Sequence, residues 1–308
     1  MSEKKLSVLI TGGSGLVGRY LTSLLLSEGY KVTHLSRKQD QFGKVRVFRW
    51  DPEKMYIDPV VFDETDYIIH LAGANIGEKR WSKKRKEEII RSRIESARLI
   101  HMVLKENAIP LKAFISASAT GYYGSVTGDR IFDEDCLPAD DFLGTTCRLW
   151  EEAADMIGGL GIRCVKIRSG VVLEKNNNPL SALLMLARAG IFPVMGSGRQ
   201  YMPWIHIEDL CRIYAKVLMD DTTKGAYNAV SPYHVTQYDL MKTLVGLMNR
   251  PFIHPPVPSL FLKIAMGEMA EIILTGSRIS SEKILNTGFR FAHENLTDAL
   301  NEIAGKEE

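Results

Sequence analysis

The chain has 308 residues, of which 45% are hydrophobic and 25% charged, with a formal net charge of +2. Those values fit a globular protein long enough for one large α/β domain, or a domain with an appendage. They exclude a low-complexity chain and, with no apolar run near the roughly 20 residues of a membrane span, a helical membrane protein; no polyanion partner is implied.

Near the start, Leu6-Ser7-Val8-Leu9-Ile10-Thr11 is a short apolar run rich in β-formers that enters the cluster Gly12-Gly13-Ser14-Gly15-Leu16-Val17-Gly18. Apolar residues of helical period leave it at Leu16, Val17, Tyr20, Leu21, Leu24 and Leu25. Strand, tight turn and helix are therefore expected. Gly13, Gly15 and Gly18 match G-x-G-x-x-G, in which glycines allow the turn, the approach of backbone to a pyrophosphate, and helix-on-strand packing. The helix N-terminus adds free N–H groups and a partial positive charge for phosphates. Gly12, Gly13, Ser14, Gly15, Leu16, Val17 and Gly18 are thus cofactor-binding candidates. In the register Thr11-Gly12-x-x-Gly15-x-x-Gly18 the same residues resemble the short-chain dehydrogenase/reductase superfamily, in its extended, epimerase-like branch.

A second strand, Lys31-Val32-Thr33-His34-Leu35, ends in Ser36-Arg37-Lys38. An NAD enzyme usually carries an acidic residue there for the ribose 2′-hydroxyl. A guanidinium followed by an ammonium instead suits a 2′-phosphate, which favours NADP(H) over NAD. The alternative is two solvated charges at a strand end. A third strand, Val45 to Trp50, runs into Asp51-Pro52. The resemblance makes Asp51 a candidate beside the adenine, and a turn-forming Asp before Pro is an equally good reading.

Tyr67-Ile68-Ile69-His70-Leu71 is nearly continuously apolar, as in a sheet covered on both faces, and enters the small residues Ala72-Gly73-Ala74-Asn75. This looks like the fourth-strand motif of the superfamily, so Leu71, Ala72 and Gly73 are expected against the cofactor. His70 reads as a packed residue. The most basic run, Lys79 to Lys86, leads into a long amphipathic pattern from Lys83 to Asn107 and reads as a solvated helix face; no nucleic-acid partner is expected. By resemblance one face of that helix borders the cofactor. Glu88 and Arg93 are then candidates, against the default of solvent exposure.

The fifth strand, Ala113 to Ser118, is followed by Ala119-Thr120-Gly121-Tyr122-Tyr123-Gly124. It resembles the strand-end motif whose serine polarises the substrate, with Ser118 at the matching position; the alternative is a hydroxyl satisfying local backbone. The superfamily's Tyr-x-x-x-Lys belongs in the next helix. Aligned on Glu151, the two positions hold Leu143 and Cys147, so the pair is missing. The catalytic candidates become Ser118, Tyr122 and Tyr123. A sixth strand, Arg163 to Arg168, leads to Ser169-Gly170-Val171-Val172-Leu173, where the resemblance places Val172 near the nicotinamide. Tyr201 to Leu210 is similar to the branch's aromatic-Ile-His-Val-x-Asp signature, and Tyr227 to Val230 looks like the last strand.

Pro251, Pro255, Pro256 and Pro258 mark a linker, followed by an apolar helical pattern over 260–274 and a final amphipathic stretch. This tail resembles the small domain of unknown function that defines one group of epimerase-family proteins, some labelled cell-division-inhibitor-like. The expected fold is α/β, a Rossmann-type doubly wound parallel sheet with a smaller, mostly helical C-terminal and substrate-side region. The expected division is 1–235 for the epimerase-like domain, with insertions about 174–205, and 250–300 for the small C-terminal domain.

Cys136, Cys147, Cys164 and Cys211 form neither metal-ligand spacing nor a disulfide framework, so reduced thiols, a cytoplasmic location and no metal are expected. Met1-Ser2-Glu3-Lys4-Lys5 leads into a strand rather than an apolar signal segment. Two functions stay open. One is an atypical NADP(H)-dependent oxidoreductase or epimerase acting on a carbonyl compound or nucleotide sugar. The other is a cofactor-binding sensor or scaffold without turnover. The resemblance also implies a homodimer without fixing one.

Overall fold

The computed structural model describes residues 5–37, 43, 45–175, 179–188, 190–248 and 256–304. Lys38, Pro251 and Pro255 lie outside them. The first half runs β1 (Ser7–Thr11), α1 (Leu16–Ser27), β2 (Lys31–Ser36), β3 (Arg46–Asp51), β4 (Tyr56–Ile57), β5 (Tyr67–His70), α2 (Lys83–Glu106), β6 (Ala113–Ala119), β7 (Ile131–Phe132) and α3 (Phe142–Gly158). Next come β8 (Arg163–Ser169), β9 (Val171–Leu173), α4 (Pro179–Arg188), β10 (Val194–Met195), β11 (Trp204–His206), α5 (Ile207–Met219) and β12 (Gly225–Ala229). The chain ends with α6 (Gln237–Met248), β13 (Pro256–Val257), α7 (Ser259–Met266), α8 (Glu271–Leu274), β14 (Arg278–Ile279), α9 (Glu282–Leu285) and α10 (Leu296–Ala304).

Eight strands make one sheet in the order β12-β8-β6-β5-β1-β2-β3-β4, parallel except for β4. This is the expected doubly wound α/β sheet. Val8, Leu9, Ile10, Ile68, Ile69 and Phe114 are fully buried, because helices cover both faces. On one face Leu21 and Leu25 of α1 pack with Ile213 and Val217 of α5. On the other, Leu99 and Ile100 of α2 pack with Ala154 and Ile157 of α3. Strand order runs outward from β1 in both directions. The crevice for a ligand therefore opens where β1 and β5 end.

Two expectations need correction. The basic run is not a uniformly solvated face: Trp81 is buried against Phe142, with ring centroids 4.7 Å apart, and Arg85 is buried too. The apolar pattern over 260–274 is not one helix. Gly267 takes a left-handed conformation at φ +62°, and a Cβ there would lie 2.7 Å from Arg80 Nε, so α7 stops and a 3-10 turn separates it from α8.

The C-terminal segment is stitched into the rest. β13 pairs with β10 and β14 with β7. Leu296, Ala299, Leu300 and Ile303 share a core with Leu173, Trp204 and Leu240, while Ile284, Phe289 and Phe291 join the α1/α5 face. Among the described residues no helix is long and apolar enough to cross a membrane.

Candidate cofactor and catalytic site

The turn between β1 and α1 is made by omitting side chains. Gly12 has φ +72°, and a Cβ there would sit 3.0 Å from the Leu71 carbonyl carbon and from Ala72 N. Only glycine lets the chain pass the end of β5 so closely. A Cβ on Gly18 would meet Gly12 O at 2.5 Å, and one on Gly13 the His34 ring at 2.5 Å. Gly15 differs. It caps α1, its N–H donates to Gly12 O at 3.0 Å, and its missing Cβ would touch only that oxygen, at 3.2 Å, with open space beyond. No side chain caps α1, and its first turn holds no acidic residue. The N–H groups at the start of α1 are thus met by no capping side chain and no carboxylate. A helix start of this kind suits the charge of a pyrophosphate.

The floor is built from β5. Thr11 Oγ1 accepts from Ala72 N at 3.2 Å and bonds His70 Nδ1 at 2.8 Å; the other ring nitrogen meets Ser96 Oγ at 3.0 Å. His70 is fully buried and stacks on Phe114. Burial, helped by the Arg93 charge, lowers its pKa to about 3, so the ring is neutral and structural. Arg93 is buried as well. Its Nη1 donates to Ala74 O at 3.1 Å and Ile89 O at 2.9 Å, and its guanidinium lies 4.7 Å from the Trp150 ring centroid. A Cβ on Gly73 would meet Arg93 at 3.3 Å. Arg93 therefore props Gly73 and Ala74 from behind.

The remaining cofactor candidates are more scattered. Ser36 is half-buried and Arg37 exposed at the carboxyl end of β2. Asp51 accepts from Lys54 N at 3.4 Å and caps the turn after β3. Glu88 is exposed and paired with Arg85 at 2.9 Å, a contact that holds its carboxyl below the ordinary range. Val172 lies in β9 opposite Ile205 of β11.

At the end of β6 the polar side chains close on one another. Ser118 and Arg168 are paired residues on β6 and β8, so their side chains share the face that α3 covers. Ser118 Oγ donates to Glu151 Oε1 at 2.7 Å. Arg168 grips the same carboxylate through Nε at 2.8 Å and Nη2 at 2.9 Å. Its Nη1 donates to Tyr123 Oη at 2.9 Å, and Tyr123 donates to Asn228 Oδ1 at 2.7 Å. Burial would lower the Arg168 pKa, but the bonds and charge of Glu151 outweigh it and raise the value. Burial raises that of Tyr123.

Tyr122 is only half-buried. The Arg168 guanidinium lies 3.5 Å from its ring centroid, and its hydroxyl has no protein hydrogen-bond partner among the described residues. Leu143 and Cys147 sit against Gly121, where a Cβ would be 3.4 Å and 3.6 Å from them. Burial and the Glu151 charge push the Cys147 thiol up to about 12, so it cannot stand in for a lysine. Sequence reasoning missed Glu151, Arg168 and Asn228 as a network. The signal was present: a glutamate and an arginine at positions the helix and strand patterns make internal.

Known proteins match this chain over nearly its full length. A family profile described as the NAD dependent epimerase/dehydratase family matches residues 8–142, and one described as a domain of unknown function (DUF1731) matches residues 257–303. Epimerase family protein YfhF of Bacillus subtilis is 34% identical over 302 residues, covering 97% of this chain and 98% of that one. The chain belongs to the NAD-dependent epimerase/dehydratase family. Among solved structures, human epimerase family protein SDR39U1 with NADPH is 30% identical, covers 97% of this chain and 99% of its own, and superposes with a TM-score of 0.84. A UDP-glucose 4-epimerase from Thermotoga maritima, at 16% identity and a TM-score of 0.77, covers 96% of this chain and 98% of its own and shares the fold. The matched range of the family profile includes the glycine turn at residues 12–18.

Proposed function

We propose that this chain binds NADP(H) at the β1–α1 turn. With it, the chain acts as an oxidoreductase or nucleotide-sugar epimerase-like enzyme on a small carbonyl compound or nucleotide sugar, without a Tyr–Lys pair. The carrying observation is the open cradle at Gly15, with uncapped helix N–H groups behind it. The exposed Arg37 at the end of β2 supports the phosphorylated cofactor, as does the NADPH in the human relative's crystal structure. When bound, the cofactor supplies or accepts a hydride at the substrate carbon. The chain must then hold or move a proton at the substrate oxygen.

Of the three hydroxyl candidates, Ser118 and Tyr123 are buried and already engaged, by Glu151 and by Asn228 and Arg168. Tyr122 is the one whose proton is uncommitted, so the proton transfer is assigned to it, with Arg168 against its ring. General acid–base help of this kind is worth roughly 10²–10⁴-fold. The closed Ser118–Glu151–Arg168 network favours a second reading, a cofactor-binding sensor with little turnover. Stopped-flow fluorescence of bound NADPH against a carbonyl and nucleotide-sugar panel separates the two. The enzyme reading expects slow oxidation that falls at least tenfold in Tyr122→Phe. Tight NADPH binding with no turnover on the whole panel selects the sensor, and full activity in Tyr122→Phe removes its assigned role.

A further inference from the structure

On the α1/α5 side of the sheet, four donor side chains from separate segments converge. His206 ends β11, Glu208 lies in the first turn of α5, His293 precedes α10, and Glu302 lies within α10. One ligating atom from each falls within 4.8 Å of all the others. The two imidazole rings face each other with centroids 3.9 Å apart. His293 Nε2 is 3.2 Å from Glu208 Oε2 and 3.1 Å from Glu302 Oε2.

Hydrogen bonding alone leaves this cluster poorly satisfied. One Nε2–H of His293 faces two carboxylates and cannot serve both well. His206 is only 3% exposed; its Nδ1 is buried with no partner, and its Nε2 points at Glu302 Oε2 across 3.9 Å, beyond hydrogen-bond reach. A divalent cation at the two Nε2 atoms gives His206 and His293 a common partner, in place of contacts that are too long or shared, and neutralises both carboxylates.

We infer that His206, Glu208, His293 and Glu302 form a divalent-cation site, with Zn²⁺ the preferred ion. Two imidazoles and two carboxylates are a donor set for zinc rather than for Mg²⁺ or Ca²⁺, which take oxygen ligands. Zinc bonds of roughly 2.0–2.2 Å in a tetrahedron put ligand atoms about 3.4 Å apart. The two contacts of His293 already match that spacing, and the His206–Glu302 separation closes to it with a shift of about half an ångström.

The supporting shell is in place. Asp209 is fully buried and accepts from Ala292 N at 2.8 Å and His293 N at 2.9 Å, which clamps the His293 backbone onto α5. A cavity of about 390 Å³ bordered by Tyr20, Glu174, His206, Glu208 and Glu302 gives an ion its entry path. The ion would fasten α10 to the start of α5. No cysteine takes part, which is why ligand spacing in the sequence does not betray it.

The test is calorimetric titration of Zn²⁺ into the EDTA-stripped full chain, with thermal melts and metal analysis by mass spectrometry. One Zn²⁺ per chain is expected, with Tm rising by roughly 5 °C at a hundredfold excess over Kd. His293→Ala and Glu302→Gln, both at partly exposed positions, should bind Zn²⁺ at least tenfold more weakly and lose the Tm response, while far-UV circular dichroism and NADPH binding stay as in the parent. No saturable Zn²⁺ binding in the parent overturns the site. Unchanged affinity in both variants does the same, placing the ion elsewhere. Equal stabilisation by Mg²⁺ overturns the choice of zinc.

Discussion

The ends of β1 and β6 flank β5 in the same sheet and are finished in opposite ways. At β1 the chain removes side chains until backbone N–H groups face open space at the start of an uncapped helix. At β6 it adds polar side chains and pairs nearly all of them: Ser118 to Glu151, Glu151 to Arg168, Arg168 to Tyr123, Tyr123 to Asn228. The first end leaves backbone donors without a side-chain cap. The second is complete without a ligand, apart from the Tyr122 hydroxyl. A site for phosphate thus costs little internal order, whereas a buried ionic network is sensitive to the loss of any one partner.

The sharpest way to break the comparison is Glu151→Leu. It strands the buried Arg168 charge and should cost about 3–5 kcal/mol in urea unfolding, against about 1.5–2 kcal/mol for Ser118→Ala, which removes one donor to the Glu151 carboxylate. Equal losses in the two variants would mean that Glu151 is not the keystone of that end.

At the other end, Gly15→Val should leave unfolding almost unchanged. Its methyls would fill the phosphate space and weaken NADPH by about 100-fold, or ~2.7 kcal/mol. Calorimetry reads this directly, and normal affinity would reduce the turn to a packing device.

The floor beneath the open end offers a pH test. The pKa of His70 in the fold, about 3, lies below the ordinary 6.5, so the unfolded chain takes up the proton first. His70 therefore destabilises the fold as pH falls below 6.5, by close to 1.4 kcal/mol per pH unit, or about 2 kcal/mol between pH 6.5 and 5. The groups facing it are Thr11, Ser96, Trp50, Phe114 and Arg93, none of them an acid that would offset the charge. Chemical unfolding across that range should show a flatter pH profile in His70→Gln. An equally steep profile would place the titration elsewhere.

The smallest effect is expected at the rim. Arg37→Ala should reduce the preference for NADPH over NADH about tenfold, ~1.4 kcal/mol, through loss of a charge-assisted contact to the 2′-phosphate. Matched titrations with both cofactors measure it, and an unchanged ratio would remove Arg37 from the selection.

What the sequence made legible follows from how far apart interacting residues lie. Gly12, Gly15 and Gly18 act on one another within a single turn, and their spacing alone declares the strand–turn–helix unit. The sheet strands are equally plain, being apolar runs at regular intervals. Glu151 and Arg168 belong to different elements, and no local pattern states that a helix glutamate meets a strand arginine. Arg93 was legible as a charge near the cofactor edge, but not its direction: its guanidinium turns back to Ala74 O. The helical pattern over 260–274 misled because Arg80, far away in sequence, fills the space beside Gly267.

The pairing of β7 with β14 has a consequence for how the chain is made. Phe132 has its strand partner in Ile279, and Trp204 and Leu173 depend on Leu300 and Ile303 for cover. At translation rates of about 5–20 residues per second, the stretch between β7 and β14 takes roughly 7–30 s to synthesise. By the end of that interval a ribosome-bound chain holds all eight strands of the main sheet, while Phe132 still waits for its strand partner. A stall before Arg278 would release a chain that holds every strand of the main sheet but lacks the partner of β7 and the cover that α10 gives Trp204 and Leu173.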